Sequence, residues 1–111
     1  MTCLFCKIAA GQIPAQIVKA TDSYLAFKDI DPQAPTHILL IPREHYESLS
    51  DPALSSQLLG ELMLAARDIA EEANLESGYR VVTNKGIDGG QSVFHLHLHI
   101  LGGRKLSWPP G

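Results

Sequence analysis

Cysteine is scarce in this chain: Cys3 and Cys6 are the only two among 111 residues. So sparse a pair excludes the disulfide framework of a small secreted domain. Long apolar runs are also missing. The longest is Leu62–Ala66, far short of the ~20 residues a membrane span needs. Positive charge is not in excess either, with nine basic residues against twelve acidic ones and a formal net charge of −3. Without a basic field, neither nucleic acid nor a membrane surface is an expected partner. The opening Met-Thr-Cys-Leu-Phe-Cys has no basic n-region or apolar h-region of a secretory signal, so a cytoplasmic location is expected. An apolar share of 45% and a charged share of 19% exclude a disordered chain. Residues 1–111 are expected to form one domain.

Periodicity divides the chain into elements. Leu4, Phe5, Ile8 and Ala9 make one face of a short helix, which Gly11 ends and Pro14 keeps from restarting. Residues 17–20 and 24–28 read as two strands of a hairpin across Thr21-Asp22-Ser23. Asp29 to Pro35 is a loop, and residues 36–41 form a buried strand that Pro42 ends. A long helix is predicted over about Pro52–Asn74, with Asp51 as its N-cap. Leu54, Leu58, Leu62, Ala65, Ile69 and Ala73 form its core stripe. Leu59, Met63, Ala66 and Ala70 form a second strip, which suits either deep burial or a partner subunit. Strands follow at 79–84 and 93–101, separated by a glycine-bearing loop. This order predicts an α+β fold with an antiparallel sheet of about five strands, one long helix and a short N-terminal helix.

Histidine is where this composition is unusual. Of five histidines, His95, His97 and His99 alternate with Leu96, Leu98 and Ile100. On a strand, alternation puts the three imidazoles on one face at steps of about 6.6 Å, with the aliphatic residues on the other. Three imidazoles together suit a zinc site, or a nucleophile with acid–base partners. A row of solvated surface histidines is the bland alternative. Immediately before them, Gly86, Gly89, Gly90, Gln91, Ser92 and Val93 form a loop whose backbone N–H groups and serine hydroxyl can hold an anion.

The run from Gly89 to Arg104, with His95-Leu96-His97-Leu98-His99-Ile100-Leu101 at its centre, resembles the signature of the histidine triad nucleotide-binding proteins. Asp29-Ile30-Asp31-Pro32-Gln33-Ala34-Pro35-Thr36-His37 and the closing Trp108-Pro109-Pro110-Gly111 resemble the Hint branch of that family. Position 31 is Asp where the branch commonly has Ser. The resemblance implies a hydrolase that cleaves the P–N bond of purine nucleoside 5′-phosphoramidates. Its ligands would be AMP, GMP and their phosphoramidates. His97 would be the nucleophile, forming a nucleotidyl-histidine, with its tautomer set by the carbonyl of His95. His99 and His37 would contact phosphate oxygens and relay protons. Ser92, Asn84, Gly90 and Val93 would hold the phosphoryl group, and Asp29 the ribose. Leu4, Phe5, Ile8, Phe27 and Ile30 would wall the purine, though plain core packing explains those five as well. The resemblance further implies a homodimer whose tail reaches the neighbour's active site. No cofactor is required for such catalysis.

Cys3-x-x-Cys6 lacks the strand–helix context of a thioredoxin-like redox pair. As a zinc site it needs two more ligands, for which His45 and His95 are candidates. Related bacterial histidine triad proteins carry zinc at this spacing; two ordinary thiols are the alternative. Three other functions also suit the motifs: a dinucleoside polyphosphate hydrolase, a nucleotide- or partner-binding module with incidental turnover, and a zinc-binding protein without nucleotide chemistry.

Overall fold

The structure, a computed structural model, describes residues 3–111. Its elements run α1 (Leu4–Ala9), β1 (Ile17–Ala20), β2 (Tyr24–Lys28), β3 (Thr36–Pro42), α2 (Ser56–Glu72), β4 (Tyr79–Val82) and β5 (Leu98–Gly102). All five strands join one antiparallel sheet in the order β1-β2-β3-β5-β4. The α+β reading therefore holds.

The two faces of the sheet carry separate cores because strand side chains alternate. Tyr24, Ala26, Ile38, Leu40, Leu96, Leu98 and Ile100 pack on α2 through Leu62, Ala65, Ala66, Ile69 and Ala70. Leu25, Phe27, Leu39 and Ile41 point the other way and pack on α1 through Phe5. Six residues are too few for α1 to be stable alone, so it depends on what holds it to the sheet. Arg43 is one tether, its Nη1 donating to the Ala9 carbonyl at 3.0 Å. Cys3 is the N-cap, its Sγ accepting from the Cys6 N–H at 3.3 Å.

Several boundaries differ from those predicted. The long helix starts at Ser56, capped by the Ser55 hydroxyl, which accepts from the Leu58 N–H at 3.0 Å. Asp51 caps a separate turn, accepting from the N–H groups of Ala53 and Glu47 at 2.9 and 3.0 Å. The helix ends before Asn74, which adopts a left-handed φ of 61°. The last strand begins at Leu98 instead of residue 93, because the preceding backbone bonds elsewhere: Leu96 N–H donates to Tyr46 O at 2.6 Å, and Thr83 Oγ1 donates to His97 O at 2.8 Å. That Thr83 contact also marks where β4 leaves the sheet, two residues early. The second strip of α2 divides. Ala66 and Ala70 are core, whereas Met63 is 46% exposed, and beside it Leu64 is 54% exposed.

Candidate functional site

Alternation without a ladder carries the histidines through residues 95–97. Leu96, Leu98 and Ile100 enter the α2 core, and the imidazoles face α1. The rings of His97 and His99 lie 4.9 Å apart, and Phe5 packs edge-on against His97 at 5.0 Å. β3 brings His37 beside His99, with ring centroids 5.2 Å apart, through the pairing of His37 with Leu101 and Leu39 with His99.

Hydrogen bonds assign a proton position to each ring. The Nδ1 of His97 lies 2.7 Å from the His95 carbonyl, an acceptor, so Nδ1 carries the hydrogen and Nε2 keeps its lone pair. The Nε2 of His95 lies 2.9 Å from the Pro42 carbonyl, which leaves its Nδ1 lone pair free. His37 Nδ1 accepts from the Gln33 N–H at 3.0 Å. Its Nε2 therefore donates, with His99 Nδ1 at 2.9 Å and the Asp29 carboxylate at 3.4 Å. Burial holds the pKa of His37, His95 and His97 below the ordinary imidazole value. Burial, then the neighbouring His97 and His37, push His99 down to about 4. These rings are neutral near pH 7, as a nucleophilic imidazole must be.

A cavity of about 360 Å³ opens beside His97 and His99. The purine-wall residues Leu4, Phe5, Ile8, Phe27 and Ile30 all line it, with Asp29, Ser92 and Val93. Sequence reasoning missed Ile13, Pro14, Ala15 and Leu39, which also line it. His37, His95, Asn84 and Gly90 are not among the lining residues. Asn84 Nδ2 donates to the Gly89 carbonyl at 2.7 Å, and the Gly90 N–H donates to Ile87 at 3.0 Å. Both brace the glycine loop in this conformation. Gly90 needs its glycine for a φ of 78°, and a Cβ on Gly89 would sit 2.4 Å from the Lys85 carbonyl. Two further braces were not anticipated. Buried Gln91 accepts from the Gly86 N–H at 2.9 Å and donates to the Glu47 and Val93 carbonyls at 2.7 and 3.1 Å. Thr83 holds the carbonyl of His97. Neither carries a signal in the sequence, because burial and backbone partners decide both roles.

Cys3, Cys6, His45 and His95 bring four donor atoms within 4.8 Å of one another. Cys3 Sγ is 3.3 Å from His95 Nδ1, and Cys6 Sγ is 3.4 and 3.5 Å from the Nδ1 atoms of His45 and His95. A tetrahedral zinc with Zn–S of about 2.3 Å and Zn–N of about 2.05 Å spaces sulfur and nitrogen about 3.6 Å apart. The donor set fits zinc, and the Pro42 carbonyl already orients His95 with the correct nitrogen free. Burial and the adjoining Cys3 thiol push the Cys6 thiol up to about 11, so a bound cation is what would bring it to thiolate. Asp29, His37 and His99 also cluster within 4.8 Å. That group does not suit a metal, because His37 Nε2 holds a proton that the Gln33 N–H prevents from moving to Nδ1. A larger hollow of about 590 Å³, between the β4 edge and the C-terminal tail, contains none of the histidines. There Arg80 lies 5.9 Å from the ring of Trp108, which is 80% exposed.

Comparison with known proteins follows the same lines. The model of the HIT domain matches residues 10–106. A crystal structure of a HIT family hydrolase from Legionella pneumophila is 49% identical and superposes with a TM-score of 0.95, covering 99% of this chain and 100% of that one. The 14 kDa zinc-binding protein of Zea mays is 46% identical over 97% of this chain and 87% of its own. A histidine triad nucleotide-binding protein from Candida albicans is 29% identical, with a TM-score of 0.84 over 97% and 83% of the two chains. Matched across most of its length in sequence and in fold, the chain belongs to the HIT domain family.

Proposed function

We propose that this chain is a purine nucleoside phosphoramidase of the Hint branch. One observation carries the reading: the Nε2 lone pair of neutral His97 is left free at an apolar cavity that has a carboxylate, Asp29, and a hydroxyl, Ser92, on its wall. The apolar residues would take a purine by its faces, which suits adenine and guanine alike. Asp29 would accept from the ribose hydroxyls. Ser92 and the Nε2–H of His99 would donate to the phosphoryl oxygens. His97 Nε2 then forms a bond to phosphorus as the P–N bond of the substrate breaks. The bonding pair leaves with the amine nitrogen, which takes a proton from water. In the second step water attacks phosphorus, the P–Nε2 bond returns its pair to His97, and the attacking water loses one proton to solvent. Throughout, the His95 carbonyl would stabilise the imidazolium that His97 becomes. Zinc on Cys3, Cys6, His45 and His95 would have a structural part, closing four ligands and leaving no open position for substrate.

A homodimer accompanies this reading. Met63 and Leu64 lie exposed on α2, and a second copy about a two-fold axis would cover them. Sedimentation should give twice 12.1 kDa; Met63→Glu should give the single-chain mass. The activity is tested by presenting adenosine 5′-phosphoramidate and a diadenosine polyphosphate side by side. The phosphoramidate should be cleaved with a kcat/KM at least ~100-fold higher. Preference for the polyphosphate would replace this reading with that of a dinucleoside polyphosphate hydrolase, and binding without turnover would leave a binding module.

A further inference from the structure

The ring of His37 is held by neighbours that admit one protonation state. Its Nδ1 meets only a donor, the backbone N–H of Gln33 at 3.0 Å. A proton on Nδ1 would face that hydrogen directly. Its Nε2 meets the Asp29 carboxylate at 3.4 Å, which can only accept, and His99 Nδ1 at 2.9 Å. His37 is thus fixed as the neutral Nε2–H form, and its proton occupies the Nδ1 side of His99. A second proton on His99 would need His37 to accept through Nε2 and to carry its own hydrogen on Nδ1, against Gln33.

The Gln33 N–H is itself held in place. Gln33 is exposed, but its carbonyl accepts from Arg104 Nη2 at 2.8 Å. Arg104 reaches it because Gly102, the last residue of β5, and Gly103 after it pass close to their neighbours. A Cβ on Gly103 would lie 2.9 Å from Pro35 Cβ, and one on Gly102 would lie 2.8 Å from Leu75. An unbroken chain of contacts therefore runs from Arg104 through Gln33 and His37 to His99, beside His97.

We infer that Gln33 and Arg104 lock His37 and His99 as neutral rings, so that His99 meets the phosphate as a fixed hydrogen-bond donor and not as a proton shuttle, with Arg104 as a positioning residue. The inference rests on the phosphoramidase reading for its catalytic consequence, but the lock itself is a property of the rings. Such a donor needs no reorganisation as charge gathers on the phosphoryl oxygen. The groups facing the pair are Asp29, Asp31 and His97.

Ring-nitrogen NMR of the whole protein, free and with AMP near pH 7, tests the lock directly. In both states His37 and His99 should each show one protonated nitrogen, Nε2, and one bare nitrogen, Nδ1. Two protonated nitrogens on His99 in the AMP complex would overturn the lock, whether or not the protein hydrolyses phosphoramidates. For Arg104, the Arg104→Ala variant should lose about three- to tenfold in kcat with KM within about twofold, and blur the tautomer signals of His37. Arg104→Lys, which can still donate to the Gln33 carbonyl, should restore most of the rate. Unchanged kcat in Arg104→Ala, or a rise in KM alone, would remove Arg104 from this role. If Arg104→Ala does not fold, the wild-type ring spectra still decide the lock.

Discussion

The segment from His95 to Ile100 has two faces that differ in kind although both are dry but for the part-exposed His99. Leu96, Leu98 and Ile100 are 1% exposed or less, and they gain the ordinary stabilisation of buried hydrocarbon, about 25 cal/mol per Å². On the opposite face His95 and His97 are equally hidden, at 0% and 4% exposure. Burying an imidazole costs stability unless its N–H finds a partner. Here the Pro42 and His95 carbonyls supply that partner, and no buried side-chain nitrogen or oxygen among the described residues lacks one. One face holds the fold, while the other uses the same dryness to keep imidazoles neutral and of one tautomer. A single alternating run thus serves packing and chemistry without mixing them.

Separate substitutions on the two faces should therefore separate rate from stability. The largest effect is expected from His97→Ala, which should lower kcat for a phosphoramidate by at least ~10³-fold. Stability should drop by only about 1–2 kcal/mol: the Nδ1–H bond to the His95 carbonyl and the packing on Phe5 are lost, but the site opens on the cavity, where water can reach the freed carbonyl. AMP binding should survive, since several other groups line the cavity. Leu98→Ala should do the reverse. Truncation in the α2 core should cost about 3 kcal/mol in urea unfolding, with kcat of the folded protein within about fivefold of wild type. If both variants lost rate and stability in parallel, the two faces would not be separable and the contrast would fail.

That contrast was visible in the sequence because a period of two is simple and the histidines stand out against an ordinary composition. The hairpin at 17–28 and the buried strand at 36–41 were equally legible, although Pro42, expected to end that strand, is its last residue, paired with Tyr24. What was not legible has local causes. Asp51-Pro52 and Ser55-Ser56 both look like helix starts, and Leu54 lies in phase with the stripe of either. Only the structure shows Asp51 engaged by Glu47 and Ala53. Residues 93–97 alternate like a strand, yet they bond to Tyr46 and Thr83 instead of a neighbouring strand, which no periodicity encodes. The four Cys/His donors could be proposed from spacing and resemblance; that His45 reaches Cys6 is a property of the fold. The braces Gln91 and Thr83 act through backbone carbonyls, and such partners leave no pattern in side-chain identity.

The α1 side sharpens the comparison, because that core is small and the helix short. If zinc occupies the Cys3, Cys6, His45 and His95 donors, a strong chelator should lower the melting temperature by about 5–10 °C, roughly 1–2 kcal/mol. AMP affinity should weaken about three- to tenfold, since α1 carries Leu4, Phe5 and Ile8 of the cavity wall. His45→Ala should already sit at the lower melting temperature and respond no further to chelator. Elemental analysis without zinc, together with no response to chelator, would reduce Cys3 and Cys6 to ordinary thiols.

The last effect expected is the pH response of the histidine face. His99 has its folded pKa near 4 against an ordinary value of 6.5, chiefly through burial. Between those values the unfolded chain takes up a proton that the folded chain does not. Stability contributed by neutral His99 is therefore complete above about pH 6.5 and is lost as pH falls towards about 4. His37 and His97 are shifted in the same direction, also by burial, and steepen the loss. The depressed carboxylate of Asp51 acts below its ordinary 3.8 and so lies outside this window. His99→Gln keeps a polar side chain but removes the titration. Its melting temperature should fall less than that of wild type as pH is lowered from about 6.5 to about 4.5, and both should be flat from about pH 7 to 8. Parallel curves would mean that His99 is no harder to protonate in the folded chain than in the unfolded one, and the histidine face would then be a wetter surface than its burial implies.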